Sequence, residues 1–265
     1  MVFLTLGSSL ARGQERIYQG LSYYYSRGFE ILQPEFFYQL RRSISSPRIE
    51  GYRQKNSDTD LDLFARYLWN VSLSEALYPT LHILEVALRN EVYQSVSRTF
   101  HPHWLYQVSP VILQPEEQDF VDSIIQQRFQ RPGKRLVDES QLIAELTLGF
   151  WVRLFNARYE MLWRKLLKDK TTFPALPRHL RKRKTLSTRL NRIRDLRNRI
   201  FHHEPIWHWM DLGQKHGELL EAIYWINPSL RLSVDIIDNF PKVFQRGPAF
   251  YHERLAYFAE DFGYF

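Results

Sequence analysis

The chain has 265 residues, of which 44% are apolar, enough for one large helical domain or two small ones around a sizeable core. Cysteine is absent, which excludes disulfides and thiolate chemistry and fits a reducing, cytoplasmic setting. A formal charge of +7 and a pI near 9.5 favour an acidic partner such as nucleic acid, and no stretch approaches the roughly 18 uninterrupted apolar residues of a membrane span, so no membrane partner is expected.

Residues 1–42 read as an N-terminal extension. Met1 to Leu6 is apolar but short and lacks the basic start of a secretory signal. Leu21-Ser22-Tyr23-Tyr24-Tyr25 is dense in aromatics, which suits packing against the rest of the chain better than base stacking. A short helix is expected around Pro34 to Leu40. Ser43 to Thr59, with Pro47, Gly51 and Asn56-Ser57-Asp58, reads as a connector whose last residues cap the following helix.

Asp60 to Tyr78 has helical periodicity, with Leu61, Phe64, Leu68 and Val71 on one face, and Pro79 is expected to end it and start the next helix. Leu81, Leu84, Leu88, Val92 and Val96 then form a second stripe. Glu85 precedes Arg89 by four residues, the order of a surface ion pair; alternatively Glu85, Arg89 or Asn90 supports polar groups on a neighbouring helix.

Phe100 to Pro115 is loop-like, with Trp104 as its anchor. His101 and His103 invite a metal reading, but alternate loop residues make a poor cage and no further ligand spacing supports one, so neither a metal nor a cofactor is expected. Glu116 to Gln130 is read as helical, and Arg131-Pro132-Gly133-Lys134-Arg135 as a basic turn. Asp138 to Ala157 carries Leu142, Leu146, Phe150 and Leu154 at helical spacing, with Gly149 allowing close approach of a neighbour. Glu160 to Leu167 continues helical, and Thr171 to Pro177 is a loop.

The densest cationic cluster, Arg178-His179-Leu180-Arg181-Lys182-Arg183-Lys184, stands directly before a helix bearing Arg189, Arg192 and Arg194. A phosphate backbone drawn to Arg181, Lys182, Arg183, Lys184, Arg189, Arg192 and Arg194 would be led along that helix; a solvated loop is the alternative. Leu186, Leu190, Ile193, Leu196 and Ile200 form its buried stripe, and Pro205 places its end right after His202 and His203.

Arginine stays cationic at any working pH and imidazole transfers protons near neutrality, so Arg197, Asn198, His202 and His203 assemble the chemistry of a ribonuclease that needs no metal. On one ideal helix, however, Arg197 and His202 lie roughly 140° apart around the axis, whereas Asn198 and His202 share a face. A second copy across a two-fold axis would let each site take arginine from one subunit and histidine from the other.

Met210 to Ile226 is read as an amphipathic helix that turns Leu212, His216, Leu219, Leu220, Ile223 and Ile226 inward and is stopped by Asn227-Pro228. A short helix is expected around Val234 to Val243. The aromatic tail, Phe250, Tyr251, Tyr257, Phe258, Phe262, Tyr264 and Phe265, is too apolar to float free.

Arg197-Asn198-x-x-x-His202 resembles the R-x4-H signature of HEPN domains, and Leu196 to Trp207 resembles the Abi-like (abortive infection) family within that group. Arg66-Tyr67-Leu68-Trp69-Asn70 through Leu88-Arg89-Asn90 is similar to the family's N-terminal helix pair, and Glu145 to Trp151 to its central segment. The resemblance covers roughly residues 43–230 and implies an all-α, HEPN-like helical bundle with extra N- and C-terminal helices, residues 231–265 supplying the C-terminal helix and tail. It also implies a homodimeric, metal-independent endoribonuclease leaving a 2',3'-cyclic phosphate and acting either in phage defence or as a toxin held in check by an antitoxin of protein or RNA. Glu204 stands where HEPN toxins regulated by tyrosine modification carry tyrosine, which speaks against that regulation. His202 matches the family spacing, and His203 is its close competitor for the catalytic role. A nucleic-acid-binding or dimerisation module without turnover, and a phage sensor binding protein through its aromatic termini, are the competing functions.

Overall fold

The computed structural model describes residues 33–106, 111–129 and 139–261, all-α and without a strand among them. Met1 to Leu6, the Tyr23-Tyr24-Tyr25 stretch, Pro110, the Arg131 to Arg135 turn and the tail residues Phe262, Tyr264 and Phe265 lie outside the described residues. The helices are α1 Gln33–Ile44, α2 Ser46–Glu50, α3 Asp60–Thr99, α4 Pro115–Ile124, α5 Glu139–Glu145 and α6 Leu148–Arg153. They are followed by α7 Glu160–Leu166, α8 Arg183–Phe201, α9 Leu212–Ile226, α10 Pro228–Val234, α11 Phe240–Arg246 and α12 Ala249–Asp261. The chain divides into two compact units: residues 33–69 with 246–261, and Asn70–Gln245.

In the first unit the connector expected over 43–59 contains a helix of its own, α2, because Pro47 suits the first turn, where no N–H is required. Its Ile49 and the following Tyr52 are buried with Leu63, Phe64 and Ala65. Arg41 ties the pieces together, donating to Asp60 at 3.0 Å through Nε and to Glu50 at 2.9 Å. Thr59 and Asp62 form a capping box: the Asp62 carboxylate accepts the Thr59 N–H at 2.8 Å and the Thr59 hydroxyl accepts the Asp62 N–H at 3.3 Å. The Arg66 guanidinium holds the buried Asp58 carboxyl well below the usual carboxylate range.

Helix α3 corrects the expected break at Pro79, for it runs unbroken through that residue. Proline forfeits one backbone hydrogen bond, but Leu73, Ala76 and Leu77 before it and Thr80, Leu81 and Leu84 after it are all buried on one stripe, and that packing outweighs the loss. Val71, expected inside, is 45% exposed, because the stripe passes instead through Asn70 and Leu73.

The second unit surrounds α8, which packs on α6, α7 and α9. Leu186, Leu190, Ile193, Leu196 and Ile200 are all buried, as their spacing requires. The expected single helix over 138–157 is two, α5 and α6. Thr147 caps the second by accepting the Phe150 N–H at 3.4 Å, yet Leu142, Leu146, Phe150 and Leu154 are still buried. Gly149 serves no close approach of a neighbouring helix; a Cβ there would meet only the Thr147 hydroxyl, at an ordinary 3.6 Å.

Three fully buried tryptophans fill this core, and each indole N–H reaches a carbonyl: Trp104 to Tyr93 at 3.3 Å, Trp151 to Leu146 at 3.1 Å, Trp163 to Leu154 at 2.6 Å. Trp104 packs edge-on to Trp151 at 6.4 Å and anchors its loop. Glu117 is a wholly buried carboxylate, neutralised by Arg158 and bonded by the Tyr159 hydroxyl at 2.7 Å.

After the motif, Met210 lies outside α9 and is almost fully exposed, and Leu220 is only half-buried. The short helix expected over 234–243 covers only the end of that stretch: α10 stops at Val234 and α11 starts at Phe240. Asn227 starts α10 by accepting the Ser229 and Leu230 N–H groups at 2.9 and 3.1 Å, so Asn227-Pro228 ends one helix and opens another; Asp238 accepts the Phe240 N–H at 3.1 Å to start α11. His216 of α9 stands 2.9 Å from Asp238 with both side chains buried, and burial pushes its imidazole below the ordinary value.

Candidate functional site at the end of α8

Helix α8 ends in a Schellman turn. The His202 N–H donates to Asn198 at 2.9 Å, the His203 N–H to Ile200 at 3.0 Å and the Glu204 N–H to Arg199 at 2.8 Å, with His203 at φ 57°. Glycine is the usual occupant of that left-handed position, and a histidine there carries a backbone cost of about 1 kcal/mol. Glu204 also pairs with Arg199 at 3.2 Å. The turn therefore presents His202 and His203 to solvent, and the His202 side chain has no hydrogen bond or ion pair among the described residues. His203→Gly is expected to raise stability by about 0.5–1 kcal/mol, measured by denaturant unfolding; an unchanged or lowered stability would show that the imidazole compensates the backbone cost.

Arg197 points elsewhere. Its Nε lies 3.8 Å from Glu85 Oε2, and its guanidinium sits 4.0 Å over the Phe201 ring, which in turn meets Tyr78 at 5.7 Å. Tyr78 and Phe201 are half-exposed, an aromatic edge that no periodicity argument singled out. Glu85 turns to Arg197 rather than to Arg89, and its other oxygen accepts the Leu148 N–H at 3.1 Å, joining α3, α6 and α8 at one carboxylate. Arg89 Nε is buried without a hydrogen-bond partner among the described residues, and Asn90 is exposed. Asn198 is half-buried one turn before His202.

The cations expected to bind RNA fall into two groups. Arg181 donates to the carbonyls of Asp169 at 2.8 Å, Thr172 at 2.7 Å, Phe173 at 3.0 Å and Leu167 at 3.3 Å, so its donors are committed to the chain's own backbone. Arg183 bonds the Phe155 carbonyl at 2.7 Å and pairs with Glu160. Arg189 pairs with Glu221 and lies 4.8 Å over Trp225, Arg192 pairs with Glu218 at 2.9 Å, and Arg194 pairs with its neighbour Asp195 at 3.2 Å. Lys182 and Lys184 remain exposed. With Thr185, Thr188, Arg189 and Arg192 they line an open depression of about 360 Å³ on the outer face of α8.

His101 and His103 do not gather ligands. The His101 Nδ1 accepts the His103 N–H at 3.0 Å, and His103 meets Glu139 at 3.0 Å. Among the described residues no group of three His, Cys, Asp or Glu is placed to hold a metal ion, and no helix is long and apolar enough to cross a membrane.

One residue escaped sequence reasoning. Asn70 on α3 is 4% exposed, and its Oδ1 accepts both the Ile206 N–H at 2.7 Å and the Trp207 N–H at 3.1 Å. The available signal was a polar residue standing where the stripe of α3 calls for an apolar one.

Fold and site together define an all-helical protein whose basic helix closes in an exposed histidine pair with an arginine braced on the adjoining face. The model of the family described as Abi-like protein matches residues 21–208, a span that contains the whole of that helix. The chain belongs to this family. No curated protein and no solved structure matches it.

Proposed function

We propose that the protein is a metal-independent endoribonuclease of the HEPN kind, acting as a phage-defence toxin, with Arg197, Asn198, His202 and His203 as its catalytic set. The observation that carries this reading is the turn itself: two solvent-facing imidazoles on a fully hydrogen-bonded backbone, one of them in a conformation that histidine adopts only at a cost. One imidazole takes the proton from a ribose 2'-hydroxyl as its oxygen attacks phosphorus. The departing 5'-oxygen takes a proton from an imidazolium, leaving a 2',3'-cyclic phosphate. Arginine stabilises the charge that develops on the phosphoryl oxygens, and Asn198 orients the reacting groups. Lys182 and Lys184, exposed at the start of α8, supply the positive charge that draws a phosphate backbone.

Arg197 and His202 leave α8 on different faces, which supports a site shared between two copies of the chain. The same divergence favours a second reading in which α8 holds RNA through Lys182 and Lys184 without turnover, Arg189 and Arg192 being paired with carboxylates of the chain itself. Incubating RNA with the protein in EDTA separates them: cleavage with cyclic-phosphate ends is expected, and intact RNA at every protein concentration, with salt-sensitive binding retained, would establish the second.

A further inference from the structure

We propose that Asn70 is a positioning residue for the histidine pair, acting on His202 and His203 through the backbone of Ile206 and Trp207; its catalytic consequence rests on the ribonuclease reading, its mechanical one does not. From His202 to Trp207 every backbone N–H is bonded. Those of His202, His203 and Glu204 go to the last turn of α8, Pro205 has none, and those of Ile206 and Trp207 both go to the one Asn70 oxygen. The histidine turn is therefore clamped from both sides, with only Pro205, whose φ is fixed by its ring, between the clamps.

The α8 side of the clamp is made by the helix itself and would survive most substitutions. The far side depends on a single buried side chain. Ile206 and Trp207 are both buried, so without Asn70 their two N–H groups would face apolar surroundings unpaired and the segment would shift to find partners. A displacement of about 1 Å in a reacting group lowers a rate by about 100-fold. An asparagine on the apolar stripe of α3 is costly in isolation; this double acceptance makes it stable there.

The test compares wild type, Asn70→Ala and Asn70→Asp, the last keeping the oxygen that accepts both protons. In Asn70→Ala the Ile206 and Trp207 amides are expected to exchange with solvent at least about tenfold faster and the His202 and His203 ring resonances to move, while kcat on a single-stranded RNA falls about 10- to 100-fold and KM changes less than about threefold. Asn70→Asp is expected to restore protection and most of kcat. If the alanine variant does not fold, Asn70→Ser, whose hydroxyl is too short to reach either amide, replaces it. A folded variant without the acceptor that keeps wild-type amide protection and kcat would overturn the proposal, as would an aspartate variant no better than alanine. Should the wild type cleave nothing, the ribonuclease reading fails, and amide protection with the histidine resonances still decides for or against the clamp.

Discussion

Protein carrying His202→Ala is expected to cleave RNA about 100- to 10,000-fold more slowly than wild type, the range lost when a general acid or base is removed. Because the His202 side chain is exposed and has no partner among the described residues, the melting temperature should stay within about 2 °C. Arg197→Ala is expected to lose a similar factor in cleavage, and about 1 kcal/mol of stability as well, because it abandons the half-exposed pair with Glu85 and the face of Phe201. Mixing the two inactive proteins gives a sharper measurement. If each site takes arginine from one copy and histidine from the other, mixed dimers regain one intact site, and roughly a quarter of wild-type activity returns. Failure of the mixture to regain activity, with each variant inactive alone, would place the whole site within one chain or show that the copies do not exchange.

Arg181→Ala is expected to act on the opposite quantity. Its guanidinium satisfies four carbonyls of the 167–173 segment, which shapes the approach to α8, and hydrogen bonds to a charged group are worth about 1.5–3 kcal/mol each but are shared and not additive. A loss of roughly 3 kcal/mol is expected, a fall in melting temperature of about 6–12 °C, while the salt dependence of RNA binding is unchanged. Lys182→Ala with Lys184→Ala should show the reverse: a normal melting temperature, and a flatter dependence of binding on salt by about 1 to 2 in the log–log slope. A flattened slope in Arg181→Ala with unaltered stability would return that residue to the RNA-binding face.

Much of the fold was legible because burial follows period. The α8 stripe and the Leu81 to Val96 face of α3 are both where apolar spacing puts them, since a helix has one way to turn five such residues inward. What the pattern misplaced were breaks. Pro79 is a local signal to stop that long-range packing overrides, and Thr147 is a local signal to start that an uninterrupted apolar rhythm concealed.

For the candidate site the sequence named residues and not their geometry. Spacing named Arg197, Asn198, His202 and His203, but the partner of Glu85, the left-handed turn at His203 and the hold of Asn70 on Ile206 join residues distant in sequence or depend on backbone angles that composition does not specify. Arg181 and Lys182 are adjacent cations that the sequence cannot tell apart; one is spent on backbone carbonyls and the other is left to solvent.

By itself the sequence determined the helical class and the inward stripe of α8, both encoded within a few turns of chain, and carried the family resemblance; α8 ends at Phe201, two residues before the end expected after His203. Only the tertiary structure decided which cations are free, where Arg197 points and what pins the histidine turn. Charge and hydrogen-bonding capacity are fixed by residue type, but whether they are consumed internally or offered outward depends on which distant carbonyls, carboxylates and amides the packed core brings within about 3 Å.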